Sequence, residues 1–387
     1  MDPVVRVVDA TLHARTQPVH VVVTGLARAR EVADAVLAAG ANAVVTGDRI
    51  DVVAKATQLV DAAGRTGGAD LAEPLRGVLD RALASWAGSD LDVETPAGVL
   101  ATGRGPLVMG VVNVTPDSFS DGGDHADVAA AVAHGRALAA AGAAVLDVGG
   151  ESTRPGADPV DADTELARVV PVVQALAADG HLVSVDTTKA VVAEQAVAAG
   201  AALVNDVSAG RLDDELLATV ARLGVPYVLM HMQGTPRTMQ AAPSYDDVVA
   251  EVHEFLAAQL VALEAGGIPA GRVLVDPGIG FGKTAAHNLE LLRRLRELAS
   301  LGRPLLVGAS RKSFLGRITG VDEPTARMAS SVAAATLAVA NGARMVRVHD
   351  VAETVEAVAV AAAVLTAGDD PGEQPDAEPD AAQGADA

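Results

Sequence analysis

Leu182-Val-Ser-Val-Asp-Thr-Thr-Lys-Ala-Val-Val-Ala-Glu-Gln-Ala-Val-Ala-Ala-Gly-Ala-Ala-Leu-Val-Asn-Asp-Val207 holds one complete unit of the fold. A short run rich in β-branched residues, Leu182–Asp186, leads into an Ala-rich stretch of helical character. A second such run follows at Ala202–Val207. Parallel strands need a crossover of this kind, and its length suits one helix. Working outward, comparable runs stand at Val108–Val114, Ala144–Gly149, Tyr227–Met232, Arg272–Asp276, Pro304–Ala309 and Arg344–His349, each followed by a helical stretch. Eight βα units in about 260 residues match an α/β (β/α)8 TIM barrel in number and size, whereas an open doubly wound sheet usually has fewer strands.

The flanks differ. Residues 1–90 read as a small α/β appendage, with strands at His20–Val23 and Ala43–Val45 and helices at Ala27–Ala39, Asp51–Ala63 and Leu71–Ser85. They carry no chemical motif, and packing or oligomerisation is their expected role. Residues 91–368 hold the barrel. Its entry, Leu91–Gly103, has a Pro-Ala-Gly turn between extended segments, as in a hairpin placed to plug the N-terminal mouth. Residues 369–387 hold seven carboxylates, three Pro and no basic residue, the composition of a disordered acidic tail.

Composition narrows the function. Half of the 387 residues are apolar but only 2% are aromatic, so the core is built from Ala, Val and Leu. With no Cys there is no disulfide, thiolate metal site or Cys nucleophile. A net charge of −21 opposes non-specific nucleic-acid binding. The N-terminus lacks a secretory pattern and the longest apolar run is too short to span a bilayer, so a soluble cytoplasmic protein without a membrane partner is expected.

In such a barrel the reactive groups gather where strands end. All eight candidate ends are polar. Helix caps and turns account for many Ser, Thr, Asp and Gly residues there. They do not account for Asp186, Asn205 and Asp276 inside β-branched runs, where a buried polar group needs a partner. A heterocycle with an amidine-like N–C(NH₂)–N edge would supply paired donors to a carboxylate. Arg154, Arg311, Lys312, Arg347 and His349 point to an anionic substrate, and Phe281 is placed to stack on a flat ring, whereas Phe119 and Phe314 suit core or lid packing as well. Gly282-Lys283-Thr284 ends like a phosphate loop, but Pro277 stands where that motif needs Gly. His231 has no metal-ligand spacing around it and reads as structural or anion-binding.

Taken together, Asn113-Val-Thr-Pro-Asp-Ser-Phe-Ser-Asp-Gly-Gly123, Gly150-Glu-Ser-Thr-Arg-Pro-Gly156, Asp276-Pro-Gly-Ile-Gly-Phe-Gly-Lys283 and Ser310-Arg-Lys-Ser-Phe314 resemble the signature stretches of the dihydropteroate synthase family, in family order. The resemblance spans roughly residues 91–367. It implies a barrel, usually dimeric, that condenses 6-hydroxymethyl-7,8-dihydropterin diphosphate with para-aminobenzoate, giving 7,8-dihydropteroate and diphosphate, and a protein that is a sulfonamide target. It further implies that Asp186, Asn205 and Asp276 hold the pterin edge, that Lys312 binds its polar rim, and that Met230, Phe281 and Gly308 line its walls. Asn113, Arg347 and His349 would meet the diphosphate, with Asn113 also touching Mg²⁺. Thr153, Arg154, Pro155 and Ser310 would shape the aminobenzoate site, under a mobile loop carrying Asp117 and Phe119.

Loss of diphosphate from a carbon attached to an electron-rich ring fits a dissociative displacement, in which the cationic groups stabilise the leaving charge. No general base stands out, and a neutral aryl amine needs positioning more than activation. Two rival readings stand beside it: a methyltransferase using methyltetrahydrofolate, which shares the barrel and the pterin-binding Asp and Asn positions, and a non-catalytic pterin-binding protein. The first would not need Ser310-Arg-Lys312 or Thr153-Arg-Pro155. The second would tolerate loss of Asn113, Lys312 or Arg347, all of which are present.

Overall fold

The computed structural model describes residues 4–9, 19–24, 29–38, 41–46, 49–54, 91–114, 124–153 and 157–367. The appendage comprises strands β1 (Val4–Asp9), β2 (Val19–Thr24), β3 (Asn42–Thr46) and β4 (Arg49–Ala54), with helix α1 (Ala29–Ala38) between β2 and β3. They form an antiparallel sheet in the order β1-β2-β4-β3. The helix expected from Asp51 is therefore corrected: its first residues are strand. Ile50 and Val52 are buried at alternate positions, and this period of two, in a β-branched run, outweighs the Ala content that follows. Strand β1 also went unread. Residues 55–63, the helix expected at 71–85 and the acidic tail lie outside the described residues.

Eight parallel strands follow: β7 (Leu107–Asn113), β8 (Val145–Gly149), β9 (Val183–Asp186), β10 (Leu203–Asp206), β11 (Tyr227–Met230), β12 (Val273–Asp276), β13 (Leu306–Val307) and β14 (Met345–Val348). Their order is β12-β11-β10-β9-β8-β7-β14-β13. A parallel bridge between Val275 and Leu305, with Val275 N donating to Pro304 O at 3.0 Å, closes the circle. The helices between them are α2 (Asp124–Ala140), α3 (Ala162–Ala178), α4 (Ala190–Ala198), α5 (Leu216–Leu223), α6 (Val248–Ala265) and α7 (Ala285–Arg293). The short α8 (Ser313–Thr319) and α9 (Met328–Ala340) link β13 to β14, and α10 (Val351–Thr366) follows β14. The expected (β/α)8 barrel is what the chain forms. Among the described residues no helix is long and apolar enough to cross a membrane.

Alternation along each strand sorts side chains between two cores. Outward residues such as Val148, Val185, Val204, Leu229, Val275 and Val346 pack under the helices. Inward residues at the strand starts, Met109, Val145, Leu203, Val228, Leu274, Leu306 and Met345, form one apolar layer with Leu182. The hairpin of β5 (Val93–Thr95) and β6 (Gly98–Leu100) presses Val93 and Leu100 into that layer from below, as its sequence predicts. Thr102 Oγ1 donates to Leu91 O and ties its two ends.

Because the side-chain period is two, the residue two places beyond each layer residue also faces the barrel interior, one level higher. Val145 thus leads to Asp147, Leu203 to Asn205, Val228 to Met230, Leu274 to Asp276, Leu306 to Gly308 and Met345 to Arg347. The apolar plug below and the polar layer above are one consequence of strand register. Leu100→Ala, which removes part of the plug, is expected to destabilise the protein by about 2–4 kcal/mol in urea unfolding while leaving substrate KM values unchanged.

Candidate active site

The centre of the upper layer is an ionic network. Arg347 donates from Nε to Asp147 Oδ2 at 2.6 Å and from Nη2 to Asp186 Oδ2 at 2.7 Å. Asn205 Nδ2 donates to the same Asp147 oxygen at 3.0 Å. Asp147 is wholly buried, and among the described residues its Oδ1 and the neighbouring Ser184 Oγ have no hydrogen-bond partner. Burial pushes the Asp186 carboxyl upward, and the Arg347 guanidinium opposes this only in part because Asp147 adds a second negative charge. For Arg347, burial is outweighed by Asp147 and Asp186, which hold the guanidinium firmly protonated.

Opposite this network stands Asp276. Its Oδ1 accepts from Gly278 N at 2.7 Å, and burial raises its carboxyl to about 6 against the pull of that bond and of Lys312, Lys283 and Arg347. Lys312 lies with Nζ 4.1 Å from the centre of the Phe281 ring. Burial and the nearby Arg347 lower its ammonium to about 8, with Asp276 and Asp186 opposing. Phe281 in turn packs with Met230, Met232, Met239 and Val207 in an apolar wall. A Cβ placed on Gly308 would meet only Arg347, at 3.8 Å or more, so this glycine keeps a flat face open beside the guanidinium.

The loop after β12 is held from beneath. Gly278, Gly280 and Gly282 take φ values of 66°, 83° and 60°, and a Cβ on Gly278 would lie 1.9 Å from His231 O. Lys283, resembling a phosphate-loop lysine in sequence, instead turns under this loop. Its Nζ donates to Gly278 O and Phe281 O, each at 3.0 Å, and meets His231 Nδ1 at 2.9 Å. Burial lowers the Lys283 ammonium to about 7, and burial together with Lys283 and Arg211 lowers the imidazolium of His231 to about 2. His231 is therefore the neutral acceptor for Lys283, the structural of its two readings. Tyr245 Oη donates to Gly282 O at 2.8 Å and Gln240 Nε2 to Gly280 O at 2.7 Å.

At the far rim Ser310 Oγ lies 3.0 Å from His349 Nδ1 and accepts from His349 N at 3.2 Å. Arg311, expected with the anion-binding cations, is corrected: it sits at φ 58° and donates to both oxygens of Asp350, at 2.6 and 3.3 Å. That pairs its charge with the residue that precedes α10. Phe314 is core. Asn113 ends β7, its backbone paired with Gly149, and Thr153 stands half-buried beyond β8. Asp117, Phe119, Arg154 and Pro155 lie outside the described residues.

The strands thus bring Asp186, Asn205, Met230, Asp276, Phe281, Gly308, Lys312 and Arg347 to one mouth, with Ser310 and His349 at its edge. Sequence reading missed Asp147, which lies inside a strand rather than at its end. Its signal was the register it shares with Asn205 and Asp276.

A barrel lined in this way defines a pterin-binding enzyme, and the family model described as Pterin binding enzyme matches residues 109–349. The dihydropteroate synthase of Escherichia coli strain K12 is 48% identical over 266 residues, 68% of this chain and 94% of that protein. That of Mycobacterium leprae strain TN is 50% identical over 268 residues, 67% and 94%. Among solved structures, Xanthomonas albilineans dihydropteroate synthase with 4-aminobenzoic acid aligns at a TM-score of 0.67 and 52% identity, covering 71% of this chain and 98% of that one. The Yersinia pestis enzyme in a sulfonamide complex aligns at 0.68 and 45%, covering 72% and 100%. The chain belongs to the dihydropteroate synthase family.

Removing the charge of Asp147 leaves the half-buried Arg347 with one carboxylate instead of two. Asp147→Asn is expected to destabilise the fold by about 2–4 kcal/mol, read by chemical denaturation.

Proposed function

We infer that the chain joins 6-hydroxymethyl-7,8-dihydropterin diphosphate to para-aminobenzoate, releasing diphosphate and 7,8-dihydropteroate. The observation that carries this reading is the upper layer itself: acceptors at Asp186, Asn205 and Asp276, an apolar wall at Met230 and Phe281, and cations at Lys312 and Arg347. Relatives support it, including a Xanthomonas albilineans dihydropteroate synthase in complex with 7,8-dihydropteroate.

In this reading the ring slides between the Phe281 and Met230 wall and the open face at Gly308. Asp276 accepts from the N–C(NH₂)–N edge, Asn205 and Asp186 meet the other ring nitrogens, and Lys312 donates to the polar rim. The diphosphate lies toward Asn113, Arg347 and His349. Departure of diphosphate leaves positive charge on the pterin beside Asp186 and Asp276, while the negative charge leaves toward the cations. Such fixed charges favour separation without reorganisation. The aryl amine then attacks the exocyclic carbon, its C–N bond replacing the broken C–O bond, and releases its proton to water. Ser310 and Thr153, with Arg154, Pro155 and Phe119, orient the amine, and Asp117 belongs to the covering loop.

Mg²⁺ is part of the proposal. Among the described residues no group of three or more carboxylates or imidazoles could hold a metal, and the donor on the diphosphate side is the amide oxygen of Asn113. A single hard oxygen suits an ion that binds mainly through phosphate oxygens and water. When bound, Mg²⁺ would neutralise charge on the leaving diphosphate. A homodimer accords with Leu337 on α9 and Val360 and Val364 on α10, each more than half exposed on two helices that pack together. The water-soluble, anionic substrate accords with a cytoplasmic enzyme.

Diphosphate release that requires both substrates tests the activity. Asp276→Asn, which replaces an acceptor by a donor, is expected to weaken pterin binding by about 2–4 kcal/mol, and unchanged calorimetric affinity in the folded variant would remove Asp276 from the site.

The raised Asp276 carboxyl gives a pH dependence of its own. Binding needs the ionised form, so pterin affinity should fall as pH drops through about 6, by up to about ten-fold per unit. Stability should move the other way. Between its ordinary value near about 4 and about 6 the folded state holds the extra proton, so stability declines as pH rises across that window and then levels off. Titrations at several pH values should show the affinity trend in the wild type, and Asp276→Asn should flatten it.

A further inference from the structure

A second, partly buried ionic cluster lies behind the site. Lys189, the residue before α4, donates from Nζ to Glu151 Oε2 and to Glu165 Oε2. Glu165, in the first turn of α3, is completely buried, and its Oε1 has no partner among the described residues. Glu151 follows Gly149-Gly150 at the end of β8 and is partly exposed. Burial pulls the Lys189 ammonium down, but the hydrogen bonds and charges of Glu151 and Glu165 outweigh it and hold it charged.

The same two residues of β8's loop are fixed in other ways. Arg168 Nη1 donates to Gly150 O at 2.8 Å. A Cβ on Gly150 would lie 2.8 Å from Val169 and 3.1 Å from the Glu165 side chain, so the backbone is pressed against α3. On the inner side a Cβ on Gly149 would meet Asp186 Cβ at 3.3 Å. The start of this loop is therefore clamped between α3 and the β9 carboxylate, and Lys189 supplies the charged member of the clamp. Lys189 also follows Asp186 by three residues, with its N–H donating to Thr187 Oγ1 at 3.2 Å. One side chain thus couples the base of the β8 loop to the strand that carries a pterin acceptor.

We propose that Lys189 and Glu151 are positioning residues for the second substrate. By drawing Glu151 onto the buried Glu165, Lys189 sets the direction in which the chain leaves β8, and hence where Thr153 stands at the rim. Neither side chain touches substrate. Their effect falls on aminobenzoate rather than pterin, because Asp147 in the middle of β8 is held separately by Arg347 and Asn205. The inference rests on the proposed role of Thr153 in the aminobenzoate site.

Glu151→Gln is the informative variant, since it loosens the loop while leaving Glu165 paired with Lys189. Lys189→Arg keeps the charge, and Lys189→Met removes it at the risk of unfolding. Steady-state diphosphate release gives KM for each substrate, and thermal melting gives the fold. Glu151→Gln is expected to raise the aminobenzoate KM on the order of 10-fold, with the pterin diphosphate KM within about two-fold and melting nearly unchanged. Lys189→Arg should fall between it and the wild type. A Glu151→Gln enzyme with both KM values unchanged, or with both raised together, overturns the positioning role while the activity stands. A wild-type enzyme that releases no diphosphate with both substrates overturns the activity and this inference with it.

Discussion

Charge buried at the barrel mouth is the constraint on which the rest of the structure depends. Asp147 and Asp186 sit on adjacent strands, and two carboxylates that close cannot both stay ionised away from water unless a cation lies between them. Arg347 rises from β14 on the far side of β7 to fill that place, and its planar fork meets one carboxylate with Nε and the other with Nη2. The layer below must then be dry and filled, because water entering from the bottom would weaken every one of these contacts. The hairpin that drives Val93 and Leu100 into the apolar layer does that work. The lower plug and the upper network are in this sense one device.

A lysine solves a different problem on the opposite wall. The Gly278–Gly282 loop turns its backbone through three left-handed glycines, which leaves carbonyl oxygens pointing inward with no strand to bond them. Lys283 gathers two of them beneath the loop. Burial draws its ammonium down to about 7, and the neutral His231 acceptor and the nearby Asp276 offset part of that cost. The result is a stiff floor under Phe281, so the apolar wall and the cation of Lys312 are presented without a flexible loop between them.

The barrel was legible in the sequence because its units repeat and because β-branched runs alternate with Ala-rich helices. The polar positions at strand ends were legible for the same reason: Asp186, Asn205 and Asp276 interrupt apolar runs where only a partner could justify them. Asp147 escaped because it lies within a strand and reads as one polar residue among Val, Leu and Gly. The residue pattern alone also left Arg311 and Arg347 alike, and only the family resemblance gave Arg347 a role and Arg311 none. In sequence both are cations near strand ends, and only the turn that gives Arg311 a positive φ sends it to Asp350. Residues 51–54 suggest the start of a helix because Ala residues follow them, although Ile50 and Val52 are buried at alternate positions of β4. In each case a tertiary partner decided what composition left open.

These differences make the cavity electrically asymmetric. On one side Arg347 shares two carboxylates, and among the described residues its Nη1 carries no bond, so it can still face an anion while its own charge is held in place. On the other side Asp276 meets one backbone N–H and feels three cations without a direct ion pair. In the proposed pose a neutral heterocycle meets these acceptors along its edge and the Phe281 wall over its plane, and an attached anion meets the cations. In the proposed reaction a neutral ring becomes positive as the anion departs. In that reading, a cavity whose carboxylates meet the ring edge and whose cations lie toward the leaving group is arranged for that change before any substrate arrives. The positioning falls to strand register and the driving force to fixed charge, so the second substrate has only to be held in line.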